Sequence, residues 1–125
     1  MDMLGGGAPL GGGVTAFEKD GVKIVMEFKP DGADAIEVAA RFSNTNASQL
    51  DSFVMQVAVP KSWSVELRAA SVAALPPLSD GAVTQNLRAT KTAADARPLA
   101  LRLRVAYTKD GAQIVEMGQV NAPPM

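Results

Sequence analysis

The chain has 125 residues, a formal net charge of −1, and neither cysteine nor histidine. Without these two residue types the sequence lacks the usual zinc ligands, thiol nucleophiles, disulfides and the commonest general base, so we expect no catalytic, metal or cofactor site. The nearly neutral charge argues against extensive binding to nucleic acid or lipid, so any recognition based on charge must be local. The length predicts one domain with a single continuous core.

The first 13 residues, Met1 to Gly13, hold six of the eleven glycines and show no regular alternation of apolar and polar residues. This composition predicts a flexible linker that leads from a longer parent protein. A phosphate-binding loop is the alternative for a glycine cluster, but no Lys-Ser or Lys-Thr pair follows it here. A secretory leader is not recognisable, and no apolar run is long enough to span a membrane. We therefore expect a cytoplasmic protein that does not insert into membranes.

From Val14 onward the sequence shows the two-residue alternation of β-strands, interrupted by turn signals. The pairs Asp20-Gly21 and Asp110-Gly111 predict hairpin turns, because both residue types tolerate positive φ angles. We expect eight strands, which in chain order are Val14–Glu18, Val22–Phe28, Ile36–Ser43, Phe53–Val59, Trp63–Leu67, Val83–Thr90, Pro98–Tyr107 and Ala112–Val120.

Each of the eight strands has one apolar side, and no helix is expected that could cover it. Two antiparallel sheets packed face to face are the simplest arrangement that buries all of these sides. The sequence therefore predicts an all-β sandwich, with a closed barrel as the structural alternative. Because aromatic residues make up only 5% of the chain, the core must consist mainly of Val, Leu, Ile, Ala and Met side chains.

The strand expected over Pro98–Tyr107 has an unusual solvent face. Alternation turns a row of leucines inward and turns Arg102 and Arg104 outward. On the strand over Phe53–Val59, the same rule exposes Ala58. If these two strands are neighbours, the small alanine leaves room for a ligand beside the arginines. Arginine stems can cover an aromatic ring, and their guanidinium groups can meet acidic residues.

Each of these features also has a purely structural interpretation. Exposed arginines on strands commonly solvate a sheet edge and deter aggregation. Trp63 shares the inward parity of its strand, so we expect it to pack in the core rather than to anchor a ligand. The tripeptide Asn46-Ala47-Ser48 matches a glycosylation sequon, but we expect it to form a turn.

Five blocks cover nearly the whole chain after its glycine-rich start. They are VTAFEKDGVKIVMEF (residues 14–28), SFVMQVAVPKSWSVEL (52–67), GAVTQNLRAT (81–90), LALRLRVAYTKDG (99–111) and GQVNAPP (118–124). These blocks resemble the ear, or appendage, domain of clathrin adaptor gamma subunits, which is shared with the GGA adaptors. The block FVMQVAVPK is the most specific, and GAVTQNLR and LRLRVAY resemble plant and green-algal members. The resemblance implies an immunoglobulin-like β-sandwich of about eight strands over residues 14–125, with residues 1–13 as the end of a flexible hinge.

The resemblance implies a binding module without enzymatic activity. Ears of this family capture short motifs in accessory proteins. In these motifs an aromatic or large apolar residue is followed by Gly, by Pro or an acidic residue, and by a second apolar residue, often with acidic neighbours. Such a domain would recruit accessory proteins to clathrin-coated vesicles at the trans-Golgi network and endosomes. It would join the remainder of a clathrin adaptor complex through the N-terminal hinge.

Carried over position by position, the resemblance assigns peptide binding to five residues. These are Ala58 as the small residue beneath the peptide, Lys61 as the basic residue after the Val-Pro step, Leu67 as an apolar wall, and Arg102 and Arg104 as paired basic positions. Alternation alone places Leu67 in the core, so its role in binding comes from the resemblance. Two positions depart from animal members, which carry a basic residue at Ala100 and an acidic residue at Gln119. We expect the motif preference to differ accordingly.

A function of a different class stays open, namely a structural sandwich that stabilises a larger assembly without recognising peptides. The two hypotheses predict different surfaces. Peptide capture requires Lys61, Arg102 and Arg104 to converge on one concave strip. A structural role instead needs a broad apolar face of more than a few hundred Å².

Overall fold

The structure, a computed structural model, describes residues 13–71, 73–93 and 98–122. All of the predicted linker except Gly13 lies outside these ranges. The described residues form eight strands, which are β1 (Val14–Lys19), β2 (Val22–Asp31), β3 (Ala35–Asn44), β4 (Leu50–Ala58), β5 (Trp63–Leu67), β6 (Ser79–Lys91), β7 (Ala100–Lys109) and β8 (Ala112–Asn121).

The strands form two antiparallel sheets. One sheet has five strands in the order β1-β2-β3-β6-β5, and the other has three strands in the order β4-β7-β8. The sheets pack face to face around one apolar core. The predicted immunoglobulin-like sandwich is therefore confirmed, and the alternative of a closed barrel is wrong. Within the described ranges, no helix is long and apolar enough to cross a membrane.

Two tight hairpins fix the register of the strands that they join. Asp20 and Gly21 connect β1 to β2 with φ angles of 53° and 81°, and Asp110 and Gly111 connect β7 to β8 with φ angles of 50° and 81°. Positive φ at both central residues matches the right-handed twist of the flanking strands. Both predicted turns are confirmed. The second turn sets the whole pairing of β7 with β8, on which the candidate site depends.

The core joins the two sheets through a short aromatic stack. The ring of Phe53 on β4 lies with its centroid 5.0 Å from that of Phe42 on β3 and 5.9 Å from that of Tyr107 on β7. Phe53 therefore touches both sheets, and burial of such a side chain contributes about 1.5–3 kcal/mol. Trp63 is also buried in this core, which confirms its prediction as a packing residue.

Two strands, β2 and β6, exceed their predicted lengths by the most, for identifiable reasons. β2 continues through Pro30 to Asp31, because β1 pairs with β2 only as far as Met26. Beyond that point β2 is an edge strand, where a residue without a backbone N–H is tolerated. β6 begins at Ser79, four residues before the predicted start at Val83, because a register shift in its pairing with β3 brings Ser79 opposite Asn44.

A network of ion pairs covers the outer face of the five-stranded sheet. Glu37 on β3 accepts hydrogen bonds from Arg88 at 2.8 Å and from Arg68 at 3.1 Å. Arg88 also pairs with Asp31. The hydrogen bond from Arg88, reinforced by the positive charge of Arg68, lowers the pKa of the Glu37 carboxyl group below its ordinary value.

The lowered pKa of Glu37 predicts how its contribution to stability depends on pH. Ionised Glu37 stabilises the fold above its unfolded-state pKa of about 4.3, and this contribution disappears as the pH falls through the lower folded-state pKa. We therefore expect Glu37→Gln to lower the melting temperature at pH 7 and to lower it less at pH 3. Glu18→Gln serves as a control, because Glu18 is exposed and forms no ion pair with the described residues. A Glu37→Gln effect of equal size at both pH values would contradict this prediction.

Candidate functional site

The candidate site lies on the outer face of the three-stranded sheet, where β4 pairs with β7. The register sets Ala58 opposite Arg102 and Gln56 opposite Arg104. All four side chains are exposed, because strand alternation turns them away from the core. The sequence-based assumption that these two strands are neighbours is therefore confirmed.

A cavity of about 350 Å³ opens at one end of this face. Arg102 lies opposite Gln119 of β8, so the cavity extends across all three strands. The small side chains of Ala58 and Ala100 leave space that longer side chains would fill. Six residues line the cavity, namely Ala58, Val59, Pro60, Ala100, Arg102 and Gln119.

The lining combines apolar surface with a single cation. Alanine methyl groups and the ring of Pro60 offer contact to an aromatic or large apolar side chain, and the stem of Arg102 can pack against it. The guanidinium group of Arg102 then lies where an acidic neighbour of the anchoring residue can reach it. The arrangement fits a short extended peptide better than a small polar ligand.

The two arginines of this face differ from the others in the described part of the chain. Arg104 donates a hydrogen bond from Nη1 to Oε1 of Gln56 at 3.2 Å, and Arg102 is exposed. Neither forms an ion pair with a described carboxylate, whereas three other arginines do, namely Arg41, Arg68 and Arg88. The positive charge of Arg102 and Arg104 is therefore available to an acidic ligand.

Leu67 lies in a separate groove on the other side of β4. It is half-buried and packs against the core, and the groove has a volume of about 370 Å³. Gln56 connects the two places, since it borders this groove and also accepts the hydrogen bond from Arg104. The groove is lined by Phe53, Val54, Met55, Gln56, Leu67, Ala69, Ala70, Ala73 and Gln85. The structure thus places Leu67 near the arginine face but outside the cavity.

Lys61 lies in the turn between β4 and β5, next to the cavity but not in its lining. Its side chain is exposed. Its carbonyl oxygen accepts a hydrogen bond from the hydroxyl group of Thr92 at 2.9 Å. The amide of Trp63 donates to the carbonyl oxygen of Pro60 at 3.0 Å. These bonds hold the backbone of the turn, so that Lys61 can place its charge at the border of the cavity.

The edge of β4 beside the groove has backbone groups that point away from β7. The amide of Phe53 donates to the carbonyl oxygen of Ala73 at 2.7 Å, outside the sheet. Alternation along an antiparallel strand directs the amides of Met55 and Val57 to this same side. An extended ligand lying in the groove could bond to them, which is how many peptides bind to sheet edges.

Some residues of the site were not among the predicted contacts. Pro60 lines the cavity, and the signal for it was its place just after the strand that exposes Ala58. Gln119 could also have been found, because counting outward from a two-residue hairpin turn pairs it with Arg102. Strand alternation puts Ala106 on the same outward side as Arg104, but it is only 9% exposed. Its small side chain lies low between neighbours on the two adjacent strands.

Comparison with known proteins identifies the family. The chain matches the adaptin C-terminal domain over residues 12–124. It is 34% identical to the AP-1 complex subunit gamma-1 of Arabidopsis thaliana over 113 residues, which are 89% of this chain and 13% of that protein. It is 32% identical to the ADP-ribosylation factor-binding protein GGA3 of Homo sapiens over 119 residues, covering 89% of this chain and 16% of that protein. The chain thus spans less than a fifth of the length of these relatives.

The fold is also that of solved ear domains. The chain superimposes on the crystal structure of the GAE domain of GGA2p from Saccharomyces cerevisiae with a TM-score of 0.80 at 22% sequence identity, covering 89% of this chain and 97% of that chain. This likeness supports the sandwich architecture, and the match along the sequence supports the family. The chain therefore belongs to the adaptin C-terminal domain family, and within it to the gamma-adaptin ear domains.

Proposed function

We propose that this ear domain binds short extended peptides that carry an aromatic or large apolar anchor with acidic neighbours. The observation that carries the proposal is the pairing of Ala58 with Arg102 beside an apolar cavity, on a face whose arginines have no carboxylate partner among the described residues. A surface built only for solubility would not need an apolar cavity beside Arg102.

Each residue has a distinct part in the proposed complex. The anchoring side chain of the peptide, followed by Gly, enters the cavity beside Ala58 and packs on the stem of Arg102. The second apolar residue of the motif crosses β4 and contacts Leu67 in the adjacent groove. Arg104 lies between the two places and holds the acidic or main-chain oxygens of the peptide, while Lys61 attracts acidic flanks from the border.

Such a site binds each motif weakly. One or two partly buried anchors contribute about 1.5–3 kcal/mol each, and charge-assisted hydrogen bonds to the arginines add about 1.5–3 kcal/mol each. After the costs of association and ordering are subtracted, we expect a Kd of roughly tens to hundreds of micromolar. Useful occupancy then depends on several motifs or several ears acting together. Weak single contacts suit a domain that exchanges partners during the assembly of a coat.

Membership of the adaptin C-terminal domain family supports a role in vesicle transport. As an appendage of a clathrin adaptor gamma subunit, the domain would recruit accessory proteins from the cytoplasm to clathrin-coated vesicles at the trans-Golgi network and endosomes. The rest of the adaptor complex would be joined through the N-terminal hinge. The role is that of a binding module rather than an enzyme, with no part for a cofactor, nucleic acid or direct insertion into the membrane.

A titration with a labelled peptide tests the proposal. We expect the peptide Asp-Phe-Gly-Pro-Leu to bind saturably with a Kd of roughly tens to hundreds of micromolar. A peptide of the same composition with Phe and Gly exchanged serves as the control and should bind at least about tenfold more weakly, because its anchor is misplaced. Fluorescence anisotropy measures both. Equal affinity for the two peptides would contradict motif recognition and would favour a structural sandwich.

A further inference from the structure

The outer face of the three-stranded sheet carries more apolar surface than the proposed motif uses. Val54 on β4, Val115 on β8 and Met117 on β8 are 49%, 44% and 66% exposed. Ala106 on β7 lies between Val54 and Val115 in the register of the sheet. We call these four residues the apolar strip. Outward-facing residues that pair across β4, β7 and β8 form rows, and the row of the cavity holds Ala58, Arg102 and Gln119. The apolar strip begins in the next row, at Met117, and continues away from the cavity.

The strip is continuous with the cavity through the row that contains Arg104. In the register, Arg104 lies opposite Gln56 on one side and Met117 on the other. Met117 is thus adjacent to an arginine already assigned to the proposed peptide site. Glu116, the nearest carboxylate along β8, points to the other side of the strand and pairs with Lys19 at 2.8 Å.

The charge of this face favours an acidic peptide as the occupant. The rows of Ala58, Gln56 and Val54 across the three strands contain two arginines and no carboxylate. A second copy of this chain is a poor occupant, because two such faces in contact would set Arg102 and Arg104 against their own counterparts. A peptide with acidic residues between apolar ones meets both the charge and the exposed side chains.

The spacing of the strip matches that of an extended peptide anchored in the cavity. Arg102 lies opposite Gln119 on the neighbouring strand β8. Met117 is two residues from Gln119 along β8, which puts it about 8 Å from Arg102 along the diagonal. Val115 is four residues from Gln119, which gives a diagonal of about 14 Å. In an extended chain, side chains two and four positions from the anchor lie on the anchor's own side, at about 7 and 13 Å. The residues at these two positions would therefore reach Met117 and Val115.

We propose that the apolar strip binds a second pair of apolar residues in the same ligand, two and four positions before the anchor. This inference rests on the proposed function. The N-terminal side of the peptide is assigned to the strip because the residues after the anchor lead across β4 to Leu67. The ligand is accordingly a longer segment, in which apolar residues at alternate positions precede the acidic residue and the motif.

Two peptides of equal length test this inference on the chain as it stands. They are Leu-Ser-Leu-Asp-Phe-Gly-Pro-Leu, whose leucines stand four and two positions before the Phe, and Ser-Ser-Ser-Asp-Phe-Gly-Pro-Leu. We expect the leucine peptide to bind about fivefold to tenfold more tightly, because Met117 and Val115 shed water against it. In the variant Val115→Ser/Met117→Ser the two peptides should bind equally, while the affinity for the serine peptide stays the same as in the wild type.

The outcomes separate this inference from the proposed function. If the serine peptide binds but the leucines add no affinity, or if their gain survives in the double variant, the strip is not a subsite and the inference is overturned. If neither peptide binds, the proposed function fails and the inference fails with it. Both substitutions lie at exposed positions, so an unchanged melting temperature of the variant shows that any loss of binding is local.

Discussion

Arg102→Ala is expected to reduce binding of Asp-Phe-Gly-Pro-Leu by about 10-fold to 100-fold, because it removes both a charge-assisted hydrogen bond worth about 1.5–3 kcal/mol and the stem that covers the anchor. From a Kd of roughly tens to hundreds of micromolar, this raises the Kd to between roughly hundreds of micromolar and tens of millimolar. Arg102 is exposed and forms no ion pair with the described residues. Its removal should therefore change the free energy of unfolding by less than about 0.5 kcal/mol.

Two further variants make this experiment specific. Arg41→Ala removes an exposed arginine from the other sheet, where it pairs with Glu27 at 2.7 Å, and it should leave peptide affinity unchanged. Arg102→Lys keeps the charge but loses the planar guanidinium group, so its affinity should lie between those of the wild type and Arg102→Ala. Fluorescence anisotropy gives the affinities, and thermal melts give the stabilities. Equal binding by wild type and Arg102→Ala would refute the assignment of the site.

The two outer faces of the sandwich handle charge in opposite ways. On the five-stranded sheet, Glu37 binds Arg68 and Arg88, and Glu27 binds Arg41. On the three-stranded sheet, the described residues offer no carboxylate to the arginines of the site. Compensated charges keep the first face soluble and discourage binding to it, whereas uncompensated ones give the second face its selectivity for acidic ligands.

Local patterns account for what the sequence could predict. The positions of the eight strands follow from two-residue alternation, and the hairpin at Asp110 and Gly111 follows from the rarity of residues that accept positive φ. These are properties of neighbouring residues, so they can be read without knowledge of the fold. The same alternation turned Arg102 and Arg104 outward, which is where the structure has them.

The features that the sequence did not predict depend on contacts between segments that are distant along the chain. Leu67 shares the parity of buried Trp63, yet β4 and β5 belong to different sheets, and the gap between them makes a groove along which Leu67 is only half-buried. Ala106 has outward parity, but the side chains of adjacent strands shield it. Neither outcome can be derived from alternation, because both depend on how the sheets and strands are packed. The resemblance to adaptor ears supplied the role of Leu67, and a binding experiment is needed to test it.

A large loss of stability is expected from substitution of Asn44, a fully buried side chain at the end of β3. Its Nδ2 donates to the carbonyl oxygens of Ser48 at 3.0 Å and Pro76 at 3.1 Å. Its Oδ1 accepts from the backbone amide of Asn46 at 2.9 Å. One side chain thus connects the turn after β3 to the segment before β6. That segment is also held by paired backbone bonds between Leu50 and Leu75, at 3.0 and 2.9 Å.

Asn44→Ala would leave these backbone groups without their partner in a place that water reaches poorly. Each unsatisfied buried group costs about 1–3 kcal/mol, so we expect the free energy of unfolding to fall by about 3 kcal/mol and the melting temperature by roughly 10–20 °C. Asn86→Ala is the matched control, since Asn86 is exposed on β6 and its loss should change stability by less than about 0.5 kcal/mol. Urea denaturation measures both. A loss below about 1 kcal/mol for Asn44→Ala would mean that other groups replace its hydrogen bonds, and the two loop segments would not depend on Asn44 for their connection.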